Sequence, residues 1–290
     1  MGVFAKLGMG AATPVTEAYE FITDRLVCKQ TITDLSGIRG TRGHPKERTR
    51  ETRRDVSGQI VLNPTAVELS RLLPRILGKA AVGNVFGLAE LLPEFFVTSD
   101  RGPKVFTYNG CQVNKATFKA AVGAGPLELT LDIIGKDETP GAAGSFPAAL
   151  VLDETAAPFV LSDLVLTVGA VPYQCDGFEL VVDNMLETRF ANSLIAKQIT
   201  PSDRVVTSTF RVPYGDSDTI YATGSAGVAA TAAFTSAQAA VSCLFTLPAL
   251  TFGKETPEVD ARTEEWLPIT ARGYKDGATD ELQITLDFVP

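Results

Sequence analysis

Residues 126–135 (PLELTLDIIG) place the tightest constraint on the fold, because Leu127, Leu129, Leu131 and Ile133 alternate with Glu128, Thr130 and Asp132. A period of two puts the aliphatic side chains on one face of a strand and the polar ones on the other, so the segment belongs to a sheet with one face in a core. Strand-like runs recur at 25–33 (RLVCKQTIT), 56–62 (VSGQIVL), 94–99, 104–108 and 111–120, and again at 161–168, 177–183 (GFELVVD), 204–212 (RVVTSTFRV), 241–247, 249–253, 265–274 and 280–289. Residues 14–24 fit a short helix or an extended arm. The pattern predicts a mainly β chain, and its 45% apolar composition is enough to bury a core.

Two places read as helix. Asn63-Pro64-Thr65 is a start signal, and 65–77 (TAVELSRLLPRIL) sets Val67, Leu69, Leu72, Leu73, Ile76 and Leu77 mostly on one side before Gly78 stops it. Pro74 is expected to kink the last turn. The uncharged stretch 219–253, between Asp218 and Lys254, is built of Ala, Thr, Ser and Gly. A membrane span needs about 20 predominantly large apolar residues, so the expectation is a small-residue helix starting near Asp216 or Ser217, followed by a strand.

A length of 290 residues allows one domain, or two units of roughly 150 residues each. Two landmarks point to an internal duplication: the strand-Pro-helix junction recurs at Pro64 and Pro213 (213 − 64 = 149), and residues 127–133 resemble 282–288 (282 − 127 = 155). The expected division is a first β unit over 1–137, carrying an N-terminal arm and a long loop at 36–55, then a Pro-, Gly- and Ala-rich linker at 138–158 and a second unit over 159–290. The competing reading is one elaborated β-sandwich whose amphipathic strands merely resemble each other.

The charge balance, 26 basic against 34 acidic residues for a net −8, argues against binding duplex DNA through a basic face. Cys28, Cys111, Cys175 and Cys243 are too scattered for a zinc clip or a disulfide framework and read as buried or half-buried thiols. His44, the one histidine, sits in the turn-rich Gly43-His44-Pro45 and reads as an exposed loop residue rather than a catalytic base. Phosphate-loop, dinucleotide, zinc-protease and serine-hydrolase motifs are all absent. The cluster 275–281 reads as a hairpin turn rather than a calcium loop. Glu264-Glu265 and the pair Glu258 and Asp260 fit solvated strand faces, and Trp266 fits a core or interface anchor. No enzymatic activity, cofactor or metal is expected. The N-terminus lacks a secretory apolar region and carries Lys6 where a myristoylation signal wants Ser or Thr, so no membrane partner is expected.

The segment 36–55 is the outlier. It carries Arg39, Arg42, Lys46, Arg48, Arg50, Arg53 and Arg54 with almost no large apolar residue, so it reads as a long projecting loop or loose hairpin. Glu47, Glu51 and Asp55 interleave with the bases, which weakens the reading as a nucleic-acid-binding arm.

The order of this Gly- and Arg-rich loop, then Gly58-Gln59-Ile60-Val61-Leu62, then the helix from Thr65, resembles the major tail tube proteins of long-tailed (siphovirus-like) bacteriophages. So do Phe178 to Asn184, Arg189, Thr200-Pro201-Ser202 and Arg204 to Phe210. The resemblance spans most of the chain from about residue 30. It implies β-sandwich units with a flanking helix, six of which close into a ring whose inner strands form a β-barrel around the passing genome. It also implies ring stacking around a tape measure protein, contacts with tail tip and tail terminator proteins, location in the virion tail, and assembly in the host cytoplasm.

Mapped here, 36–55 and 184–204 are the loops that reach the adjacent ring, the first through its basic residues as interface ion pairs. A tandem chain implies three copies per ring, a single unit six. Lumen-facing candidates are Glu128, Thr130 and Asp132 with Glu281, Gln283, Thr285 and Asp287, an acidic and hydroxylated face that repels phosphates. Plain solvent exposure explains these positions equally well. The alternative function is a carbohydrate-binding or adhesin-like β-sandwich of a virion surface, with Trp266 and tyrosines as a stacking platform.

Overall fold

A computed structural model describes residues 4–34, 40, 42–152, 157–213, 220, 224, 227–236, 241–253 and 266–287. The first half runs β1 (Lys6–Gly10), β2 (Glu17–Tyr19), β3 (Thr23–Asp24), β4 (Val27–Asp34), β5 (Thr49–Leu62), α1 (Ala66–Leu77), β6 (Val85–Gly87), β7 (Phe95–Asp100), β8 (Val105–Ala121), β9 (Glu128–Gly135) and β10 (Asp137–Gly141). The second runs β11 (Leu164–Val168), β12 (Val171–Tyr173), β13 (Gly177–Asp183), β14 (Leu186–Arg189), β15 (Gln198–Pro201), β16 (Val205–Pro213), β17 (Val228–Thr235), β18 (Ser242–Phe252), β19 (Trp266–Tyr274) and β20 (Gln283–Asp287). The protein is mainly β, and the pairings recorded between its strands are antiparallel.

A long sheet runs β4–β5–β9–β8–β13–β16–β19–β18, with β3 continuing β4 along β5. Further layers branch from its two longest strands. The first part of β8 pairs with β7 and β10, and the first part of β18 pairs with β17 and β20. These pairings repeat between the halves. β1 pairs β2 and β7 as β11 pairs β12 and β17, and β5 pairs β9 as β16 pairs β19. Between the halves, β8 lies directly against β13.

The main core cluster draws on both halves, and a small second one gathers Leu92, Leu186 and Ile199. Phe118 of β8 meets Phe245 of β18 edge-on at 5.3 Å, and Phe178 of β13 packs on Phe234 and Phe245 at 5.8 and 5.9 Å. Such offset and edge contacts are the favoured geometry for rings. In the first half α1 closes the core with Leu69, Leu72, Leu73, Ile76 and Leu77. Thr65 caps it: its hydroxyl accepts from the Glu68 N–H at 3.3 Å while Glu68 Oε2 accepts from the Thr65 N–H at 2.9 Å. Gly78, in the left-handed region at φ 95, ends it as the sequence predicts.

Several expectations change. The two runs 104–108 and 111–120 form one 17-residue strand, Val105–Ala121, joined through a bulge at Gly110 (φ 59) where the β7–β8 register shifts. Likewise 241–247 and 249–253 form the single strand β18, with Pro248 inside it. The expected small-residue helix starts outside the described residues, and the Ala-rich Val228–Thr235 is a strand, because alternate positions such as Ala230, Ala232 and Phe234 bury against β11 and β18. Of the two readings of 14–24 the extended one holds. Of the two readings of 36–55 the hairpin holds where the segment is described: 49–55 belong to β5 and pair with β4 as a ribbon. The linker 138–158 begins inside β10. The similar runs 127–133 and 282–288 occupy different places, since β9 lies between β5 and β8 while β20 lies between β18 and β6.

Candidate assembly surfaces

The side chains that alternate away from the core along the long sheet form one polar face. On β9, Glu128, Thr130 and Asp132 are half-buried, and each faces a residue of β8: Lys119, Thr117 and Lys115 respectively. Across β8 the same rows continue to Glu179, Val181 and Asp183 of β13. Each lysine thus stands between two carboxylate strands, a cross-strand arrangement that favours this register. Gln59 of β5 extends one row by donating to Asp132 Oδ1 at 3.1 Å. Beyond β13 the face becomes Thr207, Thr209 and Arg211 on β16 against Arg272, Thr270 and Pro268 on β19.

The face is therefore mixed in charge rather than acidic. Sequence reading missed Lys115 and Lys119, although their alternation in 111–120 was visible. The other lumen candidates lie elsewhere: Gln283, Thr285 and Asp287 are on β20, beside β18 and β6, and Glu281 binds Arg204 at 3.2 Å.

Of the basic loop, Arg39 lies outside the described residues. Lys46 and Arg48 form a 3-10 turn at the ribbon tip, with Arg42 before it, and Arg50, Arg53 and Arg54 are on β5. Arg54 is held within the chain: Nη2 donates to Glu51 Oε2 at 3.2 Å, Nη1 lies 3.7 Å from Asp137, and its N–H donates to the Leu194 carbonyl at 2.7 Å. The Arg54 hydrogen bond holds the Glu51 carboxyl below its usual range. Arg53 pairs with Asp55 at 2.6 Å and lies 4.1 Å over the Phe190 ring. The two predicted reaching loops thus touch each other on a single chain, the second being the β14–β15 hairpin. Among the described residues, Arg42, Lys46, Arg48 and Arg50 have no acidic partner.

At its β4 end the long sheet has an edge whose backbone groups are covered by side chains. The Leu26 carbonyl accepts from Tyr108 Oη at 2.8 Å and Arg101 Nη2 at 2.6 Å, and the Glu138 carboxylate accepts from the Cys28 N–H. Burial pushes Glu138 up from the usual carboxylate range. Such cover is a known protection against indiscriminate strand addition. Gly58 makes the close approach possible, since a Cβ there would stand 2.2 Å from the Arg25 carbonyl oxygen.

The sequence matches the model of a family described as phage tail tube protein, over residues 7–289. The chain belongs to the phage tail tube family. Its place is accordingly in the virion tail, as a structural component. No curated protein matches it at a significant level.

The Cys111 and Cys243 thiols are fully buried and pushed well up by desolvation, and Cys175 is pushed up to about 11. His44 is an exposed ribbon residue, its Nδ1 2.8 Å from Asp34. Arg204 lines a cavity of about 260 Å³ and spends its guanidinium on Glu281 and the Ala89 carbonyl, 2.9 Å away. Among the described residues no group of three His, Cys, Asp or Glu could hold a metal, and no helix is long and apolar enough to cross a membrane.

Proposed function

We propose that this tail tube protein is the major tube subunit, assembling with itself into stacked rings that enclose a channel for the viral genome. The chain acts as two tandem units, so three copies make a ring of six units. The observation that carries this reading is the repeated pairing scheme: the relations among β1, β2, β7, β8, β9 and β10 recur among β11, β12, β17, β18, β19 and β20. The β8–β13 pairing supports the same reading, because it joins one unit to the next by continuing the sheet, which is how further units add until the edges close.

The polar face of the long sheet lines the channel, with the tape measure protein inside during assembly and DNA afterwards. Its alternating charges leave no extended patch to hold a phosphate chain, so a duplex slides along it. The unpaired bases of the ribbon tip contact the next ring, and tail tip and terminator proteins close the two ends. Assembly takes place in the host cytoplasm. No observation favours the carbohydrate-binding alternative: Arg211 and Arg272 lie over the Trp266 and Tyr274 rings a stacking platform would need.

Electron microscopy of the purified protein, with the mass per ring from scattering, tests the proposal. Hollow rings or tubes with three chains per ring are expected. Six chains per ring would overturn the tandem reading, and a monomer at every concentration would overturn self-assembly.

A further inference from the structure

The short strands on either side of the repeat read almost alike. Arg25-Leu26-Val27-Cys28-Lys29 matches Glu179-Leu180-Val181-Val182-Asp183 at an offset of 179 − 25 = 154. Their pairings agree: Val27 faces Ser57 on β5 as Val181 faces Thr207 on β16, and Leu26 and Leu180 are both fully buried. Two differences stand out. β13 has a strand on each side, β8 and β16, whereas β3–β4 has β5 on one side and, among the described residues, no strand on the other. The charges are also reversed. Where β13 turns Glu179 and Asp183 toward Lys119 and Lys115 of β8, β3–β4 carries Arg25 and Lys29, both exposed and, among the described residues, in no ion pair; Lys29 stands across from Asp55 of β5, which is itself paired with Arg53.

We infer that the β3–β4 edge is the receiving edge for a second copy of this chain, and that it selects an acidic strand where the junction inside the chain uses a basic one. The inference rests on the ring reading above. A second copy fits the edge on two grounds. The junction inside the chain already shows how one unit adds to the next. The copy also has acid to offer: 36–55 carries 7 − 3 = +4, so the rest of the chain carries −8 − 4 = −12. The opposite sign at the two junctions has a consequence for order. A strand like β8, with Lys115 and Lys119, is repelled from Arg25 and Lys29, so units join alternately and a first unit cannot take another first unit as its neighbour. In the isolated chain, Tyr108, Arg101 and Glu138 cover Leu26 and Cys28, and strand addition exchanges those side-chain bonds for backbone ones.

The test compares the full-length chain with Arg25→Glu/Lys29→Glu and with Arg25→Gln/Lys29→Gln, by light scattering across a concentration series, negative-stain microscopy and circular dichroism. The glutamate pair is expected to keep the native spectrum and to raise the half-assembly concentration roughly a hundredfold, because like charges then meet across the junction. The glutamine pair is expected to raise it only several-fold. If the unaltered chain forms rings and the folded glutamate pair forms them equally well, the edge assignment falls while the tube reading stands. If the unaltered chain forms no rings, both fall. Should the glutamate pair fail to fold, the glutamine pair decides, and an unchanged half-assembly concentration overturns the inference.

Discussion

Among the described residues, the first half of the chain closes its core with a helix, while the second, where Ile220 is the one helical position described, relies on a knot of aromatic rings. In the first, α1 is capped at both ends and carries the buried Arg75, which donates to Glu17 at 2.7 Å and to the Tyr19 hydroxyl at 2.9 Å, tying the helix to β2. In the second, Phe178, Phe234 and Phe245 stack with no ion pair among them, and Phe159 joins at 6.2 Å. One order of pairing is therefore held by a directional, hydrogen-bonded device in one place and by packing in the other. What the halves have in common lies in the backbone and in which positions face inward, and the identity of the filling is free to differ. Asn184 joins the two solutions, donating to the Ile76 carbonyl of α1 at 3.2 Å and to the Val113 carbonyl of β8 at 3.0 Å.

The largest effect is expected from the aromatic side. Phe245→Ala removes a fully buried ring that touches Phe118, Phe178 and Phe234 and should cost about 3–5 kcal/mol in denaturant unfolding. Because Phe118 belongs to the first half, the loss should appear as one shifted transition. A second transition confined to half of the amplitude would show that the halves melt separately and would break the comparison.

The helical side should answer more gently. Thr65→Ala removes the cap from the α1 N-terminus and should lower stability by about 1 kcal/mol, measured in the same way. A value near that of Phe245→Ala would mean that the cap governs more than its own helix.

The smallest effect concerns the ribbon itself, at the Glu51–Arg54 pair on β5. Glu51 is held below its ordinary range by Arg54, so the stabilisation is present above the unfolded carboxylate range and is lost as pH falls through the depressed value. Glu51→Gln should therefore lower stability slightly near neutrality, where the pair is formed, and flatten the acid limb of a pH–stability curve. An unaltered acid limb would show that the pair is equally formed in the unfolded chain.

How far the sequence discloses all this differs from element to element. Alternation located β13 at 177–183, and the Asn-Pro-Thr signal located α1, because both patterns are local and their physics is local. The errors arose where a neighbour overrules a local preference. Asn109-Gly110 separates two strand-like runs in the sequence, yet β7 pairs with β8 on both sides of it and the glycine absorbs the extra residue as a bulge. Ala-rich 228–235 has helical propensity, but β17 pairs along its length with β11 and β18 and buries alternate residues, which overrides it. The seven-residue likeness at 127–133 and 282–288 misled because any strand with one buried face has the same alternation. The better guide, RLVCK against ELVVD, is shorter and is recognised only once its pairings are known. On the polar face, period-two reading found Glu128, Thr130 and Asp132, but which lysines stand opposite them depends on register, which no single strand reveals.

The length of β8 has one more consequence. With 17 residues bonded along their course to β7, β10, β9 and β13, it links the branching strands of the first half to the long sheet and lies against the first long-sheet strand of the second. Tension applied along its axis meets its lateral backbone bonds side by side, so they must yield together in shear instead of parting one after another like a zip. A chain arranged around such a strand behaves as a spliced cable does, passing load sideways to its neighbours before any single contact gives.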